Sequence, residues 1–138
     1  MAVEINAQLE KRLRDEKTIW LTTVRVDGTP QSVPVWYLWD GATLLIFSQP
    51  TAQKLRNIAQ NLKVSIIFAH TDEYGEDGFA VVTGEAVVDK DALPSNQISA
   101  YLDKYRTGIA DIGRTPEQLA GEFSVAIRVT PTRVRGDG

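Results

Sequence analysis

Two Asp-Gly pairs, Asp27-Gly28 and Asp40-Gly41, stand inside a run rich in β-branched and aromatic residues and commit the first half of the chain to antiparallel hairpins. Residues 19–26 lead into the first pair and residues 31–39 leave it. The second pair hands the chain to residues 43–47, so the spacing predicts three consecutive strands in a meander. Further strand-like runs follow at residues 64–69, 79–88 and 123–129, the last continuing past Pro131. Gly84 lies inside one of them, where an interior glycine predicts a bulge or bend and hence a curved sheet.

Helical spacing appears between and around these runs. Ile5, Leu9 and Leu13 recur among charged residues, predicting an amphipathic helix over residues 4–15 that lies across something larger. Thr51 offers an N-cap, and Leu55, Ile58, Ala59 and Leu62 share one face of a helix expected over residues 51–61. Ile98, Tyr101, Leu102 and Tyr105 define another helix, and Thr115-Pro116-Glu117 reads as a cap with proline at the first helical position of a short helix ending at Gly121. Six strand-like runs with flanking helices read as a mainly β protein, a small closed antiparallel barrel rather than a doubly wound parallel sheet. A length of 138 residues with 43% hydrophobic content fits one domain spanning residues 1–138.

Composition excludes several functions. Charges are mixed and the net charge is −3, so neither a nucleic-acid footprint nor an acidic tail is present. No cysteine is available for disulfides, thiolate metal sites or nucleophilic catalysis. The G-x-G-x-x-G and G-x-x-x-x-G-K-[ST] motifs are absent, which argues against the nucleotide folds that carry them. The amino-terminal residues alternate in charge where a signal peptide needs an apolar stretch, and no apolar run approaches membrane-spanning length, so the expectation is a cytoplasmic protein with no membrane partner.

Candidate binding residues concentrate in residues 23–57, where hairpins run directly into a lysine-bearing helix start. Pro34 has no N–H for a strand ladder, so its segment is either an ordinary edge strand or a place where pairing is interrupted. Interruption would free backbone groups of Val33, Val35 and Trp36 for the edge of a pyrimidine-like ring, with Gln31 and Ser32 adding side-chain contacts. Lys54 falls in the first turn of its helix, where unpaired N–H groups and the dipole already favour an anion. Thr51 can add a hydroxyl, Gln53 an amide and Arg56 a guanidinium suited to phosphate oxygens, with Asn57 near enough to orient Lys54. Lys54 and Arg56 are nevertheless about 200° apart around the helix, and exposed basic residues on helices are common. Trp36, Trp39, Tyr74 and Phe79 could line an aromatic face, Trp39 fitting the core better. The single histidine, His70, fits the polar end of a strand better than a general acid.

Gln31-Ser32-Val33-Pro34-Val35-Trp36, the Asp40-Gly41 turn, Ser48 and Lys54-Leu55-Arg56-Asn57-Ile58 together resemble the signature of the pyridoxamine 5′-phosphate oxidase-like superfamily. The chain is most similar to the flavin and deazaflavin oxidoreductase branch, in particular the mycobacterial-type group dependent on coenzyme F420, over residues 19–135. The resemblance implies a split β-barrel forming a homodimer, with two equivalent cofactor sites between subunits that take coenzyme F420 or flavin mononucleotide (FMN). It sets Lys54, Arg56 and Asn57 at the phosphate, Gln31 to Trp36 along the ring, and Gly78 and Phe79 on a segment that can reach the partner's cofactor. Relatives often carry further basic residues beside the phosphate-side lysine. Ala52 and Gln53 stand here, and a deazaflavin's singly charged phosphodiester needs fewer cations. The implied activity is hydride transfer to or from a small conjugated organic substrate. The alternatives are an FMN-dependent enzyme resembling pyridoxamine-phosphate oxidase and a cofactor-binding or storage protein without turnover. The cofactor carries the difficult step, so no side chain is assigned a catalytic role, and no metal site is expected.

Overall fold

The computed structural model describes residues 3–68 and 79–136. Helix α1 (Ala7–Asp15) precedes strands β1 (Ile19–Val24), β2 (Pro30–Val35), β3 (Leu38–Trp39) and β4 (Leu44–Ser48). Helix α2 (Gln53–Gln60), β5 (Lys63–Ile67) and β6 (Ala80–Val88) follow, then a 3₁₀ turn (Ser95–Gln97), α3 (Ser99–Asp111), α4 (Pro116–Glu122) and β7 (Val125–Gly136). The seven strands form one antiparallel sheet in the order β2-β1-β5-β6-β7-β4-β3.

That order makes the sheet curl. Strands β2 and β3 occupy its two opposite edges, yet only Trp36 and Tyr37 separate them along the chain. Three Cα steps reach at most about 11 Å, so the edges must approach one another at this corner and the sheet becomes a half-barrel. The expected three-strand meander is therefore corrected. Residues 31–39 are not one strand but two, which leave the corner in opposite directions around the barrel. Both Asp-Gly hairpins do form, with Gly28 at φ 91° and Gly41 at φ 96°, the left-handed conformation that glycine adopts without steric cost.

Curvature also enters at Gly84. The β6–β7 register shifts between Thr83 and Gly84, and a Cβ at Gly84 would stand 2.7 Å from the Thr130 carbonyl oxygen. Only glycine lets the two strands approach this closely.

The barrel interior is filled by Ile19, Leu21, Tyr37, Leu44, Ile46, Ile66, Val82, Ile127 and Val129, all buried, and α1 closes it with Leu9 and Leu13. Helix α1 begins at Ala7 rather than residue 4, because the Asn6 side chain accepts the Leu9 N–H at 2.8 Å. A second cluster joins Leu45 and Phe47 of β4 and Ala126 of β7 to Tyr101, Tyr105, Ile109 and Leu119 of α3 and α4. Every residue of β4 is thus buried, which explains its unbroken apolar run. No helix among the described residues is long and apolar enough to cross a membrane.

Candidate functional site

The corner between β2 and β3 forms one wall of a cavity of about 370 Å³, within the range of small-molecule sites. Pro34, Val35 and Trp36 line it from the corner and Phe47 from β4, while Lys54 enters from the first turn of α2. Tyr101, Leu119 and Phe123 contribute from the helical layer. The walls are largely apolar and aromatic, with a few polar groups among them.

The corner is held in place by α3. The Trp36 indole stacks on Tyr105, with centroids 4.5 Å apart and planes 8° from parallel. Gly108 makes room for it, since a Cβ there would lie 3.2 Å from the indole Cη2. Backbone groups that leave the sheet ladder need partners. The Tyr37 N–H donates to the Tyr105 hydroxyl at 2.9 Å, and that hydroxyl donates to the Lys17 carbonyl at 2.6 Å, with the Tyr37 carbonyl 3.0 Å away. Lys104 donates from Nζ to the same Tyr37 carbonyl at 3.0 Å and stands 3.7 Å from the Tyr37 ring centroid.

Lys54 is the second residue of α2. That helix begins at Gln53 with Ala52 as its N-cap, has no side-chain cap and carries no acidic residue in its first turn. The expected cap, Thr51, lies instead in a turn closed by the Ala52 N–H on the Gln49 carbonyl at 3.2 Å, with Pro50 inside it. The start of α2 therefore keeps unpaired N–H groups and an unneutralised dipole. Partial burial lowers the Lys54 pKa from the ordinary lysine value, and the ammonium makes no hydrogen bond or ion pair among the described residues. A desolvated cation without a counter-charge favours a bound anion.

The remaining candidate residues divide. Gln53, Arg56 and Asn57 line a neighbouring groove of about 420 Å³ with Arg25, so Lys54 and Arg56 face different depressions. The Arg56 guanidinium is engaged by the Thr51 carbonyl and the Gln53 amide oxygen. Asn57 is 2% exposed and ties α2 to the sheet: its amide donates to Thr23 Oγ1 and Gln31 Oε1, both at 2.9 Å, while its oxygen accepts from Gln53. Ser32 shares a 2.8 Å hydrogen bond with Thr22 on the exposed face, and Val33 packs against the barrel core. Ser48 is fully buried and donates to the Gln49 carbonyl. Phe79 is exposed ahead of β6, and Trp39 is in the core. Gly78, His70 and Tyr74 lie outside the described residues.

Ser95, Tyr101, Leu119 and Phe123 line the cavity without having been singled out as site residues. Helical spacing groups Tyr101 with Ile98, Leu102 and Tyr105 on one face of an expected helix. Only the three-dimensional packing shows that this face ends in a cavity. Among the described residues no group of three or more His, Asp or Glu side chains is placed to hold a metal ion.

Comparison with solved structures gives an F420 reductase, 30% identical over 91% of this chain and 94% of that one, with a TM-score of 0.68. An FAD-binding protein from Mesorhizobium loti is 23% identical over 96% and 94% of the two chains, with a TM-score of 0.68. HutZ, a heme storage protein from Vibrio cholerae, is 17% identical over 98% and 94%, with a TM-score of 0.64. A search of curated protein sequences returns no match. The sequence model described as pyridoxamine 5′-phosphate oxidase matches residues 5–136, nearly the whole chain. The curled antiparallel sheet and this match agree, and the chain belongs to the pyridoxamine 5′-phosphate oxidase family.

Proposed function

We propose that the protein is a cytoplasmic, homodimeric oxidoreductase that holds a flavin or deazaflavin and uses it for hydride transfer to or from a small conjugated organic molecule. The observation that carries this is the meeting of Lys54 with Pro34, Val35 and Trp36 in one ligand-sized cavity. Lys54 and the uncapped start of α2 would receive the phosphate, and the corner, braced by Tyr105 and Lys104, would support the ring. Such a cofactor supplies the hydride chemistry when bound. The chain's own residues position the ligands and exclude water, because the cavity walls are largely apolar. The similarity to an F420 reductase and to an FAD-binding protein supports the cofactor class.

Lys54 is the one cation lining the cavity among the described residues. A phosphate monoester carries a charge of about −1.5 to −2 at neutral pH, so this single ammonium matches the singly charged phosphodiester of the deazaflavin better. The homodimer is supported by the outer sheet face. Trp20 pairs with Ile67 on one side and Pro34 on the other, and Trp20 and Ile67 are 43% and 41% exposed. Pro34 also lines the cavity, so a second copy seated on this row would close the site from outside.

Titration of the purified protein with FMN and with coenzyme F420, followed by ring fluorescence, tests the assignment. Lys54→Ala should weaken the preferred cofactor by about tenfold or more, the size of a lost charge-assisted hydrogen bond. Binding of neither cofactor by the unaltered protein rejects it. Turnover of a conjugated acceptor then separates an enzyme from a protein that only carries the cofactor.

A further inference from the structure

Two hydroxyl-bearing residues line the cavity without a hydrogen-bond partner among the described residues. Ser95, at the start of the 3₁₀ turn, is 2% exposed, and Tyr101, in the first turn of α3, is 3% exposed. Both border the cavity, and neither side chain makes a hydrogen bond among the described residues. Neither hydroxyl is sealed away from space around it, so each is open to a bond from a molecule in the cavity. Packing holds the Tyr101 ring in place beside this space. The Tyr101 ring is fixed edge-on to Phe47, with centroids 5.3 Å apart, and against Tyr105 at 4.9 Å.

We infer that Ser95 and Tyr101 form a hydrogen-bonding subsite for a carbonyl-type oxygen on a planar, conjugated ligand, separate from the phosphate position at Lys54. Each hydroxyl can donate one hydrogen bond. Burial raises the Tyr101 pKa above the ordinary phenol value, so it stays protonated and able to donate across the neutral range. The surrounding Phe47, Leu119 and Phe123 suit a flat apolar frame, and the two hydroxyls would select the oxygen on it. The subsite rests on the oxidoreductase reading only for the source of that oxygen, which is the acceptor molecule or the cofactor's own ring.

A matched pair of probes tests it without turnover. 2-Acetylnaphthalene and 2-ethylnaphthalene have similar shape and differ in one carbonyl oxygen. Binding to the cofactor-free protein is followed by NMR chemical-shift perturbation. The unaltered protein should prefer the ketone by about five- to tenfold, the worth of a buried hydrogen bond. Tyr101→Phe and Ser95→Ala, both checked for unchanged thermal unfolding, should each reduce that preference. Equal affinity for the two probes, no binding of either, or a preference that survives both substitutions overturns the subsite. Repeating the titration with cofactor present identifies the oxygen's source. Simultaneous binding assigns it to the acceptor, whereas exclusion of the ketone, with weaker cofactor binding by Tyr101→Phe, assigns it to the ring. Ketone binding by a protein that takes neither cofactor would reject the cofactor assignment while leaving the subsite intact.

Discussion

Lys104 shows how a single charge is tied to the wall of the site. Its ammonium bonds the Tyr37 carbonyl and covers the Tyr37 ring, and Tyr37 directly follows the cavity-lining Trp36. Burial, with the neighbouring Lys17 charge second, lowers its pKa to about 8, against the opposing pull of Asp15 and Glu16. The Tyr37 and Tyr105 phenols facing it are raised by burial and stay neutral through this range. The folded chain therefore releases the Lys104 proton near pH 8, whereas the unfolded chain keeps it to the ordinary lysine range of about 10.4. Between those values the unfolded state binds more protons, so this residue makes stability rise with pH. Urea unfolding at about pH 7.5 and about pH 9.5 should show the unaltered protein gaining stability relative to Lys104→Met. A constant difference between the two proteins, or one of opposite sign, rejects the assignment.

At the scale of elements, α4 was readable because everything that starts it is local. The Thr115 hydroxyl accepts the Gln118 N–H at 3.1 Å, and the Gln118 side chain accepts the Thr115 N–H at 2.9 Å, with Pro116 opening the helix. Seven residues cannot sustain a helix by propensity alone, so the cap and the packing of Leu119 both matter. Thr115→Ala should cost about 1 kcal/mol in urea unfolding, and Thr115→Ser should restore most of it. A loss below about 0.3 kcal/mol would show that packing alone holds α4. The start of α2 misled for the opposite reason. Thr51 has the chemistry of a cap, but Pro50 draws it into the preceding turn, and Gln53 becomes the first helical residue. Residues 31–39 misled because nothing local interrupts a strand-like pattern at Trp36-Tyr37. The break is imposed by the curl of the sheet and satisfied by Tyr105, which is far away in sequence.

The whole molecule brings together what the sequence presents apart. Pro34, Val35, Trp36 and Lys54 were legible as a cluster because they fall within one short stretch, whereas Ser95 and Tyr101 reach the same cavity only through α3 and α4 packing over β4. The sheet order was illegible for the same reason: β7 joins β6 to β4, a pairing that no neighbouring residues encode. The outward row of Pro34, Trp20 and Ile67 crosses β2, β1 and β5, so its apolar continuity exists only in the folded sheet. If a second copy covers that row, a carboxylate in its middle would be buried without a partner, which costs several kcal/mol. Trp20→Asp should therefore weaken dimerisation by about a hundredfold or more, converting a dimer to monomer in analytical ultracentrifugation. Cofactor affinity should fall with it, because Pro34 belongs to both the row and the cavity. A Trp20→Asp dimer as tight as the original would place the partner surface elsewhere, and a monomeric unaltered protein would reject the homodimer.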